Sequence, residues 1–404
     1  VAAQGKVEHE VAKKKIKPWR DGNALASPEK NRKLRLIPMR AALIARQFDV
    51  PGRLVSVEPY GSGNVNDTYL AIFRTTFSEQ RFVVQRIRKS VFPEPEAIMQ
   101  NMRVLTDHCH TKLEAEIDQS DRIWQLPKII QTKGGEDWVT DSEGDLWRAI
   151  SQIASAQAFE SVKHPEHAHE VGYVLGHFHR MVSDLPPTLL RYALPGFHVT
   201  PGYLAKLDAN KTPSRARDLL QASPEAKRAL LFVEERRARC AVLEDALQRG
   251  ELKLRTTHGD PKVGNVMIDE ATGRGTCIVD LDTVQPGLVH YDIGDATRSA
   301  CNPAGEDAAN LSSVIFDLEL FTTIYRGYQS HAKDFLSQND HRYLFNCIHL
   351  IPLELGIRFL ADHLAGDTYF KVRYPGHNLR RALVQFKLVE SIEAREASIR
   401  KIIG

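Results

Sequence analysis

A strand-rich island inside a long helical stretch constrains this chain more than any other feature of its sequence. After Ile153 apolar residues mostly follow helical spacing, as Val171, Val174, Leu175, Phe178 and Val182 do. Ala226–Arg249 reads as a further long helix, and helices resume from Asn310 to the end. Between them, Leu254 to Asp282 reads as strand. Val266-Met267-Ile268-Asp269, the turn Glu270 to Gly275 and the apolar run Cys277-Ile278-Val279 form a hairpin. That hairpin would bring Asn265, just before it, close to Asp280, just after it.

The first half has a different rhythm. Ala41 to Phe48 reads as a short helix, and Leu54–Val57, Thr68–Phe73 and Phe82–Ile87 read as strands. A helix follows over Pro95–His108, then a short strand at Ile129. Trp138-Val139-Thr140, the polar turn Asp141 to Asp145 and Leu146–Ile153 make a hairpin. At 404 residues the chain is long enough for two lobes. The patterns predict an α+β fold with a small antiparallel-sheet lobe over 41–153 and a mainly helical lobe over 154–404. The Lys-rich residues 1–40 read as a basic flexible extension.

The island carries the chemistry. Thr257-His258-Gly259-Asp260-Pro261-Lys262-Val263-Gly264-Asn265 is followed by Ile278-Val279-Asp280-Leu281-Asp282. Phosphoryl transfer asks for a carboxylate that orients and deprotonates the attacking hydroxyl, and for ligands that hold Mg²⁺ on the phosphates. Mg²⁺ takes oxygen donors, commonly one or two carboxylates plus waters and phosphate oxygens. Asp260 fits the first role, and Asn265 with Asp280 the second. His-x-Asp with an Asn five positions on is also the step of the protein-kinase catalytic loop. Asp282 either assists the metal or supports the loop. His258 reads as a structural hydrogen-bond partner, because Asp260 already fills the base role.

The nucleotide end is expected at Gly61-Ser62-Gly63-Asn64, where glycines let backbone N–H groups approach phosphates. Asn66 stands where a protein-kinase loop has its third Gly. The strand cation of protein kinases is replaced by Gln85-Arg86; Arg86 offers a forked phosphate contact, and Gln85 occupies the lysine position. Glu94 and Glu96 are candidates for the helix carboxylate that would pair with such a cation. Lys262 is a candidate γ-phosphate contact, and adenine is expected near Trp147 to Ile153.

His-Gly-Asp-x-x-x-x-Asn followed by an apolar-apolar-Asp strand resembles the aminoglycoside phosphotransferase and choline kinase superfamily. Within it the chain is most similar to the N-acetylhexosamine 1-kinase branch. That resemblance rests on Tyr60–Thr68 with Phe82–Ile87, on Asn265–Asp269 with Val279–Gly287, and on Arg358–Asp362 with Gly366–Val372 and Pro375–Leu379. It implies a bilobal protein-kinase-like fold, ATP and Mg²⁺ as cofactors, and transfer of the γ-phosphate to the anomeric hydroxyl of the sugar. By the same resemblance Arg358 and Tyr369 would bind the acceptor, ahead of His377 and Asn378. Lys371, Arg373, Arg380 and Arg381 surround that segment and suit a neutral acceptor better than a polycation. The alternatives are another acceptor, such as a different sugar, an amino alcohol or an aminoglycoside, and a nucleotide-binding module without turnover.

Composition narrows the partners to small molecules. The net charge of +3 resides in the first forty residues, with eleven Lys or Arg against four Asp or Glu, so the remainder is mildly acidic and unlike a nucleic-acid-binding core. Charged residues interrupt the apolar runs, which predicts no membrane span. The five widely spaced cysteines suggest a reduced, cytoplasmic setting. The cluster His164, His167, His169, His177 and His179 lacks the partners of a zinc set and reads as solvated or capping residues.

Overall fold

The computed structural model describes residues 39–61, 65–115 and 122–404. The predicted basic extension, up to residue 38, and the loop residues Ser62, Gly63 and Asn64 lie outside them. A helix over 39–45 leads into a six-stranded antiparallel sheet. Its strands are β1 (Arg53–Pro59), β2 (Asp67–Arg74), β3 (Glu79–Ile87), β4 (Ile129–Ile130), β5 (Val139–Thr140) and β6 (Leu146–Ser151). They run in the order β1-β2-β3-β6-β4, with β5 also on β6. The helix Pro95–Ala115 lies between β3 and β4 in the chain.

Strand alternation gives the sheet two different faces. Tyr69, Val84, Trp147 and Ala149 pack with Ala41, Ile44 and Phe48 on one. Ile87 and Leu146 pack with Ile98, Met99 and Met102 on the other. Gln85 and Arg148 are direct cross-strand partners, as are Arg86 and Trp147. Gln85 and Arg148 therefore share the face of Ile87 and Leu146, while Arg86 falls on the opposite one.

The remainder is helical around Leu344–Ala365, which packs against the Val289–Ala300, Thr200–Asn210 and His377–Glu393 helices. By length and composition it could cross a membrane, but 83% of its apolar window is buried inside the protein. It is the core helix. The Pro165–Met181 and Leu318–Ala332 helices touch backbone to backbone. A Cβ on Gly172 would lie 2.0 Å from Ile324 O, and one on Gly327 would lie 2.1 Å from His169 O. This closeness puts His179 against Tyr328, Nδ1 to the hydroxyl at 3.0 Å.

One expected helix is broken. Ala226–Arg249 forms Pro224–Arg236, a 3-10 turn at Arg237–Arg239, and Val242–Gln248. The reason is burial in two places: Ala226, Ala229 and Val233 join one apolar cluster, while Leu243 and Ala246 join another. A straight helix could not reach both.

β7 (Ala156–Ala158) follows the six-stranded sheet in the chain, the island adds β8 (Arg255–Thr257), β9 (Val266–Asp269) and β10 (Gly275–Ile278), and β11 (Gln285–Gly287) comes just after it. β10-β9-β7 is one antiparallel sheet and β11-β8 another. All five cysteines are buried free thiols.

Candidate active site

The loop between β8 and β9 carries His258, Gly259 and Asp260. Its backbone is held from below by Asp292 on the Val289–Ala300 helix, which accepts from His258 N at 2.7 Å and Gly259 N at 2.8 Å. Asp292 is fully buried, which would raise its pKa, yet the hydrogen bond from His179 Nε2 at 2.9 Å helps hold it below the usual carboxylate range. Gly259 has φ of +86°, and a Cβ there would meet Thr283 O at 2.7 Å, so the turn requires glycine. Burial holds the pKa of His258 down. Its Nδ1 accepts from Asp260 N at 3.2 Å and its Nε2 donates to Val279 O at 3.0 Å, the pattern of a neutral structural histidine.

Asp260, partly exposed, receives two side-chain donors on Oδ2: Lys262 Nζ at 2.5 Å and Asn265 Nδ2 at 3.1 Å. Asn265 Nδ2 also donates to Asp260 O at 2.7 Å, which leaves its amide oxygen facing elsewhere. Val279 N donates to Asn265 O at 2.9 Å, so the hairpin brings Asn265 beside the end of β10. Asp280 follows there in a left-handed conformation, φ 65°, ψ 58°. Strained backbone of this kind persists where the surroundings over-determine it. Asp280 keeps a face open to solvent, yet enclosure by protein, then the charges of Asp282 and Asp260, push the pKa of its carboxyl up. Burial disfavours the Lys262 ammonium, but Asp260 and Asp280 hold it well above the usual lysine range. Asp260 and Asp280 lie near enough to act on each other's charge, a repulsion that a hard cation would relieve. Among the described residues no group of three or more His, Cys, Asp or Glu forms a metal cage.

The sheet contributes from above. Arg148, 1% exposed, donates to Gln85 Oε1 at 2.9 and 2.6 Å and pairs with Asp282 at 2.5 Å. Gln85 Nε2 donates to Thr68 Oγ1 at 3.1 Å. Asn66 Nδ2 donates to the other oxygen of Asp282 and its Oδ1 accepts from Arg88 N at 3.2 Å. Asp282 therefore ties the two lobes together. Arg86 is not brought to this cluster: on the opposite face, it pairs with Asp67 and Asp145. Glu94 pairs with Arg191 at 2.7 Å on the surface. Beside Asp280, Ile153, Met267 and Cys277 form a small apolar cluster with Val279.

With this geometry in place, comparison identifies the relatives. The model of the phosphotransferase enzyme family matches residues 56–312, more than half of the chain. This chain belongs to the phosphotransferase enzyme family. Solved structures share its fold at low identity. The microcompartment-associated aminopropanol kinase is 16% identical over 90% of this chain and 98% of its own, with a TM-score of 0.55. Plasmodium vivax ethanolamine kinase is 11% identical over 82% of each chain, TM-score 0.52. Choline kinase of Cryptosporidium parvum is 12% identical over 91% of this chain and 97% of its own, TM-score 0.51. The chain is an α+β phosphotransferase, with the antiparallel-sheet and helical parts of a protein-kinase-like fold.

The acceptor candidates of this phosphotransferase lie on the core helix and in the segment after it. Arg358, on the core helix, is flanked by the rings of Tyr203 at 4.9 Å, Phe197 at 5.3 Å and Phe370 at 5.7 Å. Its Nη1 is 3.9 Å from Glu354 Oε1. Tyr369 is exposed and stands edge-on to Phe370. Its backbone is fixed by Asp362, which accepts from the N–H groups of Thr368, Tyr369 and Phe370, each at 2.9 Å. Asn378 is buried and donates to Asp362 and Asp367, and His377 is buried and pairs with Asp307. Of the glycine-rich loop only Gly61 is among the described residues; its φ is +76°.

Sequence reasoning missed Arg148 and Asp292. The signal for Arg148 was a charge inside the apolar strand Leu146–Ile150, in register with Gln85. Asp292 was a carboxylate placed among apolar residues of a buried helix.

Proposed function

We propose that the protein is an ATP-dependent kinase in which Asp260 receives the proton of the acceptor hydroxyl. The convergence of Lys262 and Asn265 on Asp260 Oδ2, beside Asp280, carries this reading. Asp260 orients the attacking oxygen, and Lys262 and Asn265 fix the carboxylate that does so. The amide oxygen of Asn265 and the carboxylate of Asp280 would hold Mg²⁺, which supplies charge neutralisation on the phosphates when bound. Asn66 and the backbone around Gly61, with Ser62, Gly63 and Asn64, would cover the phosphates. Arg148, steadied by Gln85, ties Asp282 to the sheet and so fixes the segment that carries Asp280; Arg86 braces the outer face instead. Adenine would lie on Ile153, Met267 and Val279.

For the acceptor, a neutral sugar is the favoured class, with N-acetylhexosamine and its anomeric hydroxyl as the specific proposal. The supporting observation is Arg358. Its guanidinium already occupies the space among Phe197, Tyr203 and Phe370, where it would repel an ammonium and can offer forked donors to sugar oxygens. Tyr369 would stack on the ring. An amino alcohol is the second reading, since the solved relatives named above are kinases of that class. A panel of N-acetylhexosamines, other sugars, ethanolamine, choline and an aminoglycoside, assayed for ADP release with Mg²⁺, separates the two. Turnover of cationic amines alone would reject the sugar proposal. ATP binding without turnover of any acceptor would reject the kinase.

A further inference from the structure

His198 joins the acceptor side of the site to the catalytic loop. It lies on the segment before the Thr200–Asn210 helix, 5% exposed, with a left-handed backbone at φ 60°. Its Nε2 is 2.8 Å from the carbonyl oxygen of Gly259, the residue before Asp260. Its Nδ1 is 3.0 Å from Glu354 Oε1. A carbonyl can only accept, so Nε2 must carry a proton. A carboxylate also only accepts, so Nδ1 must carry one too. Around Glu354, Thr200 Oγ1 donates to Oε2 at 2.8 Å, and the Arg358 guanidinium stands 3.9 Å from Oε1.

We propose that His198 is a positioning residue charged at neutral pH, an imidazolium strut that sets the loop carrying Asp260 in place relative to the Arg358 helix. The proposal rests on the reading of Asp260 as the base and Arg358 as an acceptor contact.

The groups facing His198 support a retained charge. The Leu344–Ala365 helix offers Glu354 and, beyond it, Arg358. The Val289–Ala300 helix offers Tyr291, whose ring stacks at 5.5 Å, and Asp295, whose negative charge acts on the ring. Tyr291 in turn donates to Glu244 at 2.9 Å. From the Thr200–Asn210 helix, Tyr203 hydrogen-bonds the backbone of His198. Burial alone would lower the pKa of the ring, but Glu354, then Asp295, outweigh it and hold the pKa above the ordinary histidine value. Loss of the proton would set two acceptors against one remaining N–H, and either Gly259 or Glu354 would lose its partner. Because Gly259 precedes Asp260, the expected consequence is misplacement of the base. Such shifts of about 1 Å can cost roughly 10²-fold in rate.

The test is histidine-selective nitrogen labelling and NMR on the full-length protein, with steady-state kinetics of wild type, His198→Gln and Glu354→Gln across the alkaline range. The expected NMR result is one histidine with both ring nitrogens protonated well above the ordinary histidine pKa of about 6.5. That signal should vanish in His198→Gln and titrate about 1–3 units lower in Glu354→Gln. His198→Gln should lower kcat by roughly 10²-fold with a much smaller change in acceptor KM, and should abolish an alkaline limb that Glu354→Gln moves to lower pH. A neutral ring near pH 7 overturns the proposal, as does an unchanged kcat in His198→Gln. If His198→Gln does not fold, the wild-type and Glu354→Gln spectra decide alone. Failure of the kinase reading would appear separately, as no acceptor turnover beside a normal imidazolium signal.

Discussion

Replacing Arg148 by Met tests the lobe junction most directly. The Arg148 side chain is 1% exposed and its partner Asp282 is 3% exposed. The substitution keeps most of the buried volume but removes the 2.5 Å ion pair and both donors to Gln85 Oε1. Asp282 is left with the Asn66 amide as its side-chain donor from the sheet lobe. Removing one partner of a buried pair strands the other charge and costs about 3–5 kcal/mol. The added substitution Asp282→Asn removes that charge while keeping an acceptor for Asn66, so the double variant should recover most of the loss. Urea unfolding followed by tryptophan fluorescence suits the measurement, because Trp147 is fully buried one residue away. A loss under about 1 kcal/mol for Arg148→Met, or a double variant no more stable than the single one, would refute the reasoning.

Asp260→Asn should lower kcat by about 10²–10⁴-fold with little change in melting temperature, since Asn keeps a partner for Lys262 and Asn265; retained turnover would remove Asp260 from the base role. Asp362→Asn should raise the acceptor KM about tenfold, because the amide cannot accept on both sides of the 366–370 loop; an unchanged KM would remove Tyr369 from the acceptor contact. Glu244→Gln should stabilise the protein at alkaline pH. Burial pushes Glu244 up from 4.5 to about 7, so the folded state binds more protons than the unfolded one between those values. Stability therefore falls as pH rises through that window, by on the order of 3 kcal/mol. The gain in Glu244→Gln should be seen at about pH 8 and be nearly absent at about pH 4, and equal shifts in melting temperature at both would contradict it.

Much of the candidate site was legible because it is local. Asp260, Lys262 and Asn265 lie within six residues, and the hairpin that returns to Asp280 is short. Apolar, strand-forming runs bounded by turn residues likewise revealed β1 to β3 and β6, although β6 is buried on both faces and shows no alternation. The break near Arg237 was not legible, because the helical pattern runs on in sequence while its two halves serve different cores.

By itself the sequence determined the strand and helix rhythm, the candidate catalytic loop and the glycines that its turns require. These depend on backbone sterics and on neighbours a few residues away. Tertiary structure alone decided which charge meets which. Gln85 and Arg86 are adjacent in the chain, yet the pleat sends them to opposite faces, and the cation beside Asp282 comes from a strand sixty residues later. The support of the catalytic loop by Asp292, and the bridge from Glu354 through His198 to Gly259, arise the same way. Buried polar groups must find partners when water is excluded, and the packing of distant helices settles which partners are within reach.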